Sequence, residues 1–235
     1  MTRTLVLVHG AWAGGSSWSR IQAGLEKRGI RSHAPDLPGH GSSKLPLGDL
    51  YDDARFLREF SERLEGELVL VGHSYGGAVI SEAALSLGNV AHLVYVTGFC
   101  LEEGEAFLPL RRSISSDMEM AEATRRPGGG DEVVVDPEAA LNVFYGATPD
   151  RIAAEAVAQL GPQLVATFSQ PVSGAPWRSL PSTYVRCSED RAIPVAVQDV
   201  MAARCGTVIT IATDHSPFLS AVPELLDVLV PVATA

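Results

Sequence analysis

The chain has 235 residues, of which 46% are hydrophobic and 20% are charged, and its 28 acidic residues outnumber 18 basic ones for a net charge of −10. This length suits one large α/β domain that carries an insertion, and the apolar content excludes intrinsic disorder. Because an acidic chain repels phosphate groups, we expect neither nucleic acid nor an anionic membrane surface as a partner.

The predicted elements alternate between short apolar runs and stretches with helical spacing. In chain order they are strand 4–8, helix 18–28, helix 50–64, strand 67–71, helix 75–87, strand 90–96, strand 183–187, helix 195–203, strand 208–211 and helix 217–229. Strands that are apolar on both faces and separated by helices are typical of right-handed β-α-β units. The pattern predicts an α/β fold with a mostly parallel sheet covered by helices on both faces.

This alternation stops between residues 99 and 180. The segment contains helix-like pieces at 117–124, 137–144 and 149–160, and only residues 133–135 resemble a strand. A mainly helical insertion between two strands of a regular sheet predicts a lid. We therefore expect a core formed by residues 1–98 and 181–235, and a lid or cap formed by residues 99–180.

The strongest chemical motif lies where the strand at 67–71 meets the next helix. The sequence there is Gly72-His73-Ser74-Tyr75-Gly76, an apolar strand that runs into Gly-x-Ser-x-Gly. This pattern predicts a nucleophile elbow, a sharp turn that exposes the Ser74 hydroxyl above the sheet and needs small residues on either side. A glycine-rich turn with a capping serine is the alternative.

A serine hydroxyl needs a base, and the base needs a group that orients it. Among six histidines, His215 is favoured because it follows the last strand, at the same sheet edge as Ser74. His73 is predicted to point away, since its neighbour is the serine itself. Asp190 follows the strand at 183–187 and is the favoured acid. Its direct rival is Glu189, and Asp214, Glu102 and Glu103 are weaker alternatives.

Two backbone amides are expected to form an oxyanion hole. The residue after the nucleophile supplies one such donor, which here is Tyr75, and the loop after the first strand supplies the other, which is expected to be Ala11. A tight turn after the first strand is the alternative for this loop.

Four segments, residues 7–12, 36–41, 72–77 and 214–218, resemble the α/β-hydrolase superfamily. Chain length and spacing are similar to its compact branch of plant methyl esterases, hydroxynitrile lyases and small bacterial carboxylesterases. The resemblance implies an α/β-hydrolase fold with Ser74 as nucleophile, His215 as base and Asp190 as its orienting acid. Ser216 follows His215 where the hydroxynitrile lyases place a lysine, which disfavours cyanide release.

The leading hypothesis is a serine carboxylic-ester hydrolase that cleaves a small to mid-sized, fairly apolar ester through an acyl-enzyme intermediate. One alternative uses the same scaffold for a lyase, C–C cleavage, acyl-transfer or cyclase step in secondary metabolism. Another is a ligand-binding receptor with little turnover. No cofactor or metal is expected, and the partner is a small-molecule substrate.

Several large side chains are candidates for the substrate pocket. They are Trp12, Met118, Met120, Phe144, Tyr145 and Phe168, for each of which ordinary core packing is the alternative. The pairs Arg111-Arg112 and Arg125-Arg126 could grip an anionic substrate group, although solvated surface pairs are the favoured interpretation.

Cysteine usage predicts a reducing compartment. The three cysteines, Cys100, Cys187 and Cys205, form no Cys-x-x-Cys pair, so neither a disulfide framework nor a zinc site is expected. The apolar run at residues 5–8 is too short for a signal peptide, and no stretch has the length of a membrane span. We expect a cytoplasmic monomer or homodimer.

Overall fold

The computed structural model describes residues 2–117 and 119–235. Its strands are β1 (Thr4–Val8), β2 (Ser32–His33), β3 (Leu68–His73), β4 (Val90–Val96), β5 (Thr124–Arg125), β6 (Glu132–Val135), β7 (Gln163–Leu164), β8 (Ser182–Cys187) and β9 (Thr207–Ile211). Its α-helices are α1 (Ser19–Glu26), α2 (Leu50–Ser61), α3 (Gly76–Ala84), α4 (Phe107–Ile114), α5 (Glu119–Glu122), α6 (Pro137–Phe144), α7 (Asp150–Val157), α8 (Val195–Ala202), α9 (Pro217–Ser220) and α10 (Val222–Thr234).

Six strands form the main sheet, in the order β2-β1-β3-β4-β8-β9, and every neighbouring pair is parallel. Every residue of β1 and β3 is buried, as the continuous apolar runs predicted. Alternate residues of β1 belong to opposite cores, Val6 to one and Leu7 to the other. Helices α2, α3 and α8 contribute to the first core, and α1 and α10 contribute to the second. The predicted two-sided cover of a parallel sheet is confirmed.

Two predicted features differ from the structure: strand β2 was not predicted, and the last predicted helix is two helices. Strand β2 has two half-buried residues at the sheet edge, which is too short to produce a periodic pattern. The predicted helix 217–229 is two helices, α9 and α10, separated at Ala221. That residue has non-helical φ and ψ of −138° and 51°, and Pro223 follows at the start of α10. A proline near a helix start costs no internal hydrogen bond, so the new helix begins there.

Between β4 and β8 the described residues form four α-helices, α4 to α7, three short 3-10 helices, and a three-stranded antiparallel sheet in the order β5-β6-β7. The small sheet was not predicted, because β5 and β7 have only two residues each. Helix α4 was not predicted either. Its third residue is Pro109, which marks a helix break in a sequence but lies where the amide has no intrahelical partner.

In the described part of the chain, no helix has the length and apolar character that crossing a membrane requires.

The turn from β3 to α3 brings two chain segments into very close contact. A Cβ atom on Gly76 would lie 2.6 Å from the carbonyl oxygen of His9 and 2.7 Å from that of Val8. A Cβ on Gly72 would lie 2.4 Å from the Gly76 carbonyl oxygen. Because these contacts are to backbone atoms, the neighbours cannot rotate away. The turn after β3 therefore requires glycine at both positions.

Gly76→Ala is expected to lower the free energy of unfolding by about 1–3 kcal/mol, because the new methyl group overpacks a backbone contact. Gly88→Ala is the matched control: a Cβ at this exposed glycine meets no atom within 4 Å, and the change should stay within about 0.5 kcal/mol. Chemical denaturation measures both. Equal effects of the two substitutions would contradict the steric explanation.

Candidate active site

His215 and Asp190 meet at the carboxyl edge of the main sheet. His215 follows β9 and Asp190 follows β8, and these two strands are neighbours. The His215 Nδ1–H donates to Asp190 Oδ2 across 2.8 Å, and both side chains are almost completely buried. Because Nδ1 carries the proton in this contact, Nε2 is left with a lone pair. The imidazole is thus held in the tautomer that a general base requires.

The Asp190 carboxylate is fixed by four further donors. Its Oδ1 accepts from the amides of Ala192 and Ile193 at 2.8 and 2.9 Å. Its Oδ2 accepts from the Thr97 hydroxyl at 2.6 Å and from Gln198 Nε2 at 3.2 Å. Sequence reasoning missed Thr97 and Gln198. Thr97 directly follows β4, so its place after a strand beside β8 was the one available signal.

The rival acids lie elsewhere. Glu189 is exposed, and so is Glu103. Glu102 pairs with Arg178 on the surface. Asp214 accepts from the Thr148 hydroxyl at 2.9 Å, which joins the loop before α9 to the segment between α6 and α7. Of the candidate acids, Asp190 is the one whose carboxylate contacts the His215 ring.

Ser74 occupies a strained turn at the end of β3. Its φ is 50°, in the left-handed region that few residues other than glycine adopt. Two other residues share this property, Trp12 with φ 63° and Thr97 with φ 38°. The three follow β3, β1 and β4, which are adjacent in the sheet. Backbone strain in the described residues is therefore concentrated at one sheet edge, as it commonly is at functional sites.

Ser74 and His215 line the same two cavities, although no hydrogen bond joins the serine hydroxyl to the ring in the described structure. The amides of Ala11 and Tyr75 donate no hydrogen bond to any described residue. Unpaired amides beside the hydroxyl are suited to bind a negatively charged oxygen.

Trp12 ties the loop after β1 to the segment between β4 and β8. Its amide donates to Gln163 Oε1 at 3.3 Å, and its indole Nε1 donates to the carbonyl of Val133 at 2.9 Å. In return, the Gly161 amide donates to the Trp12 carbonyl at 2.8 Å. The ring stacks on Phe168, with 5.3 Å between centroids. These contacts hold the neighbouring Ala11 amide in place.

His73 contacts the loop that carries His215, and no hydrogen bond joins its ring to Ser74 in the described structure. Its Nε2–H donates to the backbone carbonyl of His215 at 2.8 Å, and the two ring centroids are 4.6 Å apart. Burial, together with the nearby His215 ring, lowers the pKa of His73 well below its usual value, so the ring stays neutral. The ring therefore supports the backbone of His215, and the exclusion of His73 as the base stays a prediction.

His9 joins two loops at the same edge. Its Nδ1–H donates to the carbonyl of Gly10 at 2.8 Å, and the Leu37 amide donates to its Nε2 at 3.1 Å. Burial, with a smaller contribution from nearby His40, lowers the pKa of His9 to about 4. Because the ring is neutral and both of its nitrogens are in hydrogen bonds, His9 has a structural role.

Two cavities meet at Ser74. The smaller has a volume of about 130 Å³ and the larger about 380 Å³, and both are lined by Ser74 and His215. Of the predicted pocket residues, Trp12 and Phe144 line both cavities, Tyr145 lines the smaller, and Met120 and Phe168 line the larger. Met118 lies outside the described residues.

No group of three metal-ligating side chains occurs within residues 2–117 and 119–235.

A parallel sheet with helices on both faces and a serine at a strand-to-helix turn defines the class of α/β hydrolases. A model of the alpha/beta hydrolase family matches residues 5–228, and the chain belongs to this family. The superfamily resemblance noted from the motifs is confirmed.

Two curated relatives align over almost the whole chain. Pyrethroid hydrolase of Sphingobium wenxiniae is 29% identical over 98% of this chain and 88% of its own length. Methylesterase 7 of Arabidopsis thaliana is 28% identical over 98% of this chain and 96% of its own length. A crystal structure of a pyrethroid hydrolase from Sphingobium faniae superimposes with a TM-score of 0.87, at 26% identity, covering 100% of this chain and 98% of the other.

A buried carboxylate lies behind the residue that follows Ser74. The Tyr75 hydroxyl donates to Asp53 Oδ2 at 2.7 Å, and Asp53 is fully buried on α2. Its Oδ1 has no hydrogen-bond partner among the described residues. Burial raises the pKa of Asp53 to about 7; the Tyr75 hydroxyl opposes this shift, and nearby Asp49 and Asp52 add to it.

Asp53→Asn is expected to raise the free energy of unfolding at pH 8 by about 1–4 kcal/mol. Asp53 is protonated in the folded chain and ionised in the unfolded chain between pH 4 and 7, so its burial lowers stability as pH rises. The gain should shrink towards zero near pH 4. Urea denaturation across this range measures it, with Glu59→Gln on the exposed face of α2 as control. A gain that does not depend on pH would contradict this explanation.

Proposed function

We propose that this chain is a carboxylic-ester hydrolase in which Ser74, His215 and Asp190 form the catalytic triad. The observation that carries the proposal is the 2.8 Å hydrogen bond from His215 Nδ1 to Asp190, made beside a serine in a left-handed turn. Its relatives, a methylesterase and pyrethroid hydrolases, support hydrolysis as the reaction.

The triad accounts for both halves of the reaction. Ser74 Oγ attacks the ester carbonyl carbon while its proton passes to His215 Nε2. The imidazolium, stabilised by Asp190, then protonates the departing alcohol and leaves an acyl-enzyme. Water adds to this acyl group with the same histidine as base, which releases the acid and restores the Ser74 hydroxyl.

The two free amides provide the place for the charge that develops in this step. The carbonyl oxygen becomes an oxyanion when Ser74 adds, and the amides of Ala11 and Tyr75 are its proposed donors. Each such donor contributes about 3 kcal/mol to transition-state binding. The three hydrogen bonds of Trp12 support this role, since they fix the Ala11 loop before substrate binds.

The paired cavities suit an ester, because an ester carbonyl carries two substituents. With the carbonyl at Ser74, the acyl part can lie in one cavity and the alkoxy part in the other. We propose residues 99–180 as the lid over this site. Phe107, Met120, Phe144 and Phe168 belong to that segment and line the larger cavity, which supports a substrate that has an apolar part.

The three cysteines are free, and this supports the proposed cytoplasmic location.

Ser74→Ala is expected to reduce turnover of p-nitrophenyl butyrate by about 10³–10⁶-fold, because the nucleophile is lost. Ser86→Ala, an exposed serine outside both cavities, is the control and should keep full activity. Undiminished turnover in the Ser74→Ala variant would disprove the mechanism.

A serine-directed sulfonyl fluoride should add one label to the native protein and none to Ser74→Ala. Labelling without ester turnover would favour a lyase or transfer reaction instead.

Asp190→Asn is expected to lower kcat for the same ester by about 10³–10⁴-fold, because an amide at this position stabilises the wrong imidazole tautomer. Glu189→Gln removes the same charge one residue earlier, on an exposed side chain, and should change kcat less than about twofold. Steady-state kinetics on the two variants decides whether Asp190 or Glu189 is the acid that orients His215. A larger loss in Glu189→Gln would assign the acid to Glu189.

A further inference from the structure

The larger cavity is basic, in a chain that is acidic overall. Four of the residues that line it are arginines: Arg111, Arg112, Arg125 and Arg126. No described residue of its lining is an aspartate or a glutamate, whereas the whole chain has a net charge of −10. Three of these arginines are exposed, as the interpretation of solvated surface residues expects, and Arg111 is buried. All four converge on the cavity that also holds Ser74 and His215.

Arg111 is a buried cation with unused hydrogen-bonding capacity. It lies on α4 and is 6% exposed. Its Nη2 donates to the backbone carbonyl of Asp117, and its Nε has no partner among the described residues. It forms no ion pair with a described carboxylate. A buried guanidinium without a counter-ion is costly, and a bound anion would remove that cost.

The other three arginines are exposed at the cavity. Arg125 forms an ion pair with Asp136, with 3.7 Å between Nη1 and Oδ2. Arg112 and Arg126 form no ion pair within the described part of the chain. Exposed arginines with free guanidinium groups raise the local concentration of anions and can close around one. The smaller cavity differs, because its lining contains one arginine, Arg20, and one glutamate, Glu155. The positive charge therefore belongs to one side of Ser74.

The larger cavity also has aromatic residues in its wall. Phe99 and Phe107 stack with centroids 3.7 Å apart, and both line the cavity together with Phe144 and Phe168. A substrate that reaches both Ser74 and an arginine in this cavity is best matched by an apolar group between its two polar ends.

We infer that the larger cavity binds the carboxylate end of the substrate, so that the preferred substrates are monoesters of dicarboxylic acids with an apolar spacer. This inference rests on the proposed ester hydrolysis. The ester carbonyl lies at Ser74, the spacer lies against the phenylalanines, and the free carboxylate pairs with Arg111. Guanidinium and carboxylate groups match in shape and form paired, charge-assisted hydrogen bonds.

The test compares two esters that differ only at the far end, monomethyl suberate and methyl octanoate. In the native protein kcat/KM should be about tenfold or more higher for monomethyl suberate, mainly through a lower KM. Arg111→Met should lower this ratio by about tenfold. Added salt should lower it as well, because ions screen the attraction. An ester with a terminal ammonium group should be the poorest substrate.

Further variants distinguish the loss of a carboxylate site from a folding defect in Arg111→Met. The double variant Arg112→Gln/Arg126→Gln changes two exposed side chains at the same cavity and should lower the ratio by about threefold. Arg63→Gln removes an exposed arginine outside both cavities and should leave the ratio unchanged. If Arg63→Gln lowered the kcat/KM ratio equally, net charge alone would explain the effect, and the inference would be overturned.

Calorimetry of suberate with the Ser74→Ala variant separates this inference from the proposed function. Suberate binding that is lost on adding Arg111→Met supports the carboxylate site, even where neither ester is hydrolysed and the proposed function fails. A kcat/KM ratio near one, with Ser74-dependent turnover of methyl octanoate, overturns the carboxylate site and leaves ester hydrolysis intact.

Discussion

The hydrogen bond between His215 and Asp190 joins two loops that are far apart in the sequence, and the rest of the site is arranged around it. Asp190 can hold the ring because Thr97, Gln198 and two amides already fix its carboxylate. His73 contacts the same residue through the His215 backbone carbonyl. In the proposed mechanism, a ring whose acid partner is already fixed loses little entropy when it accepts the serine proton, which favours proton transfer.

This arrangement depends on strand order. The groups that meet come from the ends of β3, β4, β8 and β9, which lie side by side in the sheet. Parallel strands bring their carboxyl ends to one edge, so loops distant in sequence become neighbours. The same edge contains the left-handed residues Trp12, Ser74 and Thr97. The backbone strain at these residues is maintained by the rigid strands that precede them, so the geometry of the proposed site depends on the packing of the sheet.

The site is also linked to the segment that we propose as its lid. Trp12 is bound to Val133, Gly161 and Gln163, so the loop that carries the proposed oxyanion donor cannot move independently of that segment. The segment supplies most of the aromatic wall of the larger cavity and all four of its arginines. The proposed substrate cavity and the proposed oxyanion donor are therefore connected through a few contacts of one tryptophan.

The amino-acid sequence by itself determined the parallel sheet, the strand-to-helix turn at Ser74 and the candidate triad positions, because each leaves a local signal. Buried strands are continuous apolar runs, the turn needs Gly72 and Gly76, and loops after parallel strands share an edge. Short elements such as β2, β5 and β7 leave no periodic pattern. Helix α4 has Pro109 in its first turn, and a proline in a sequence resembles a helix break. The roles of Thr97, Gln198, His73 and Asp53 come from contacts with residues distant in the chain, which no local pattern encodes. Only the tertiary structure decided that the arginines of residues 111–126 line the cavity of Ser74, because a surface arginine and a cavity arginine look alike in a sequence.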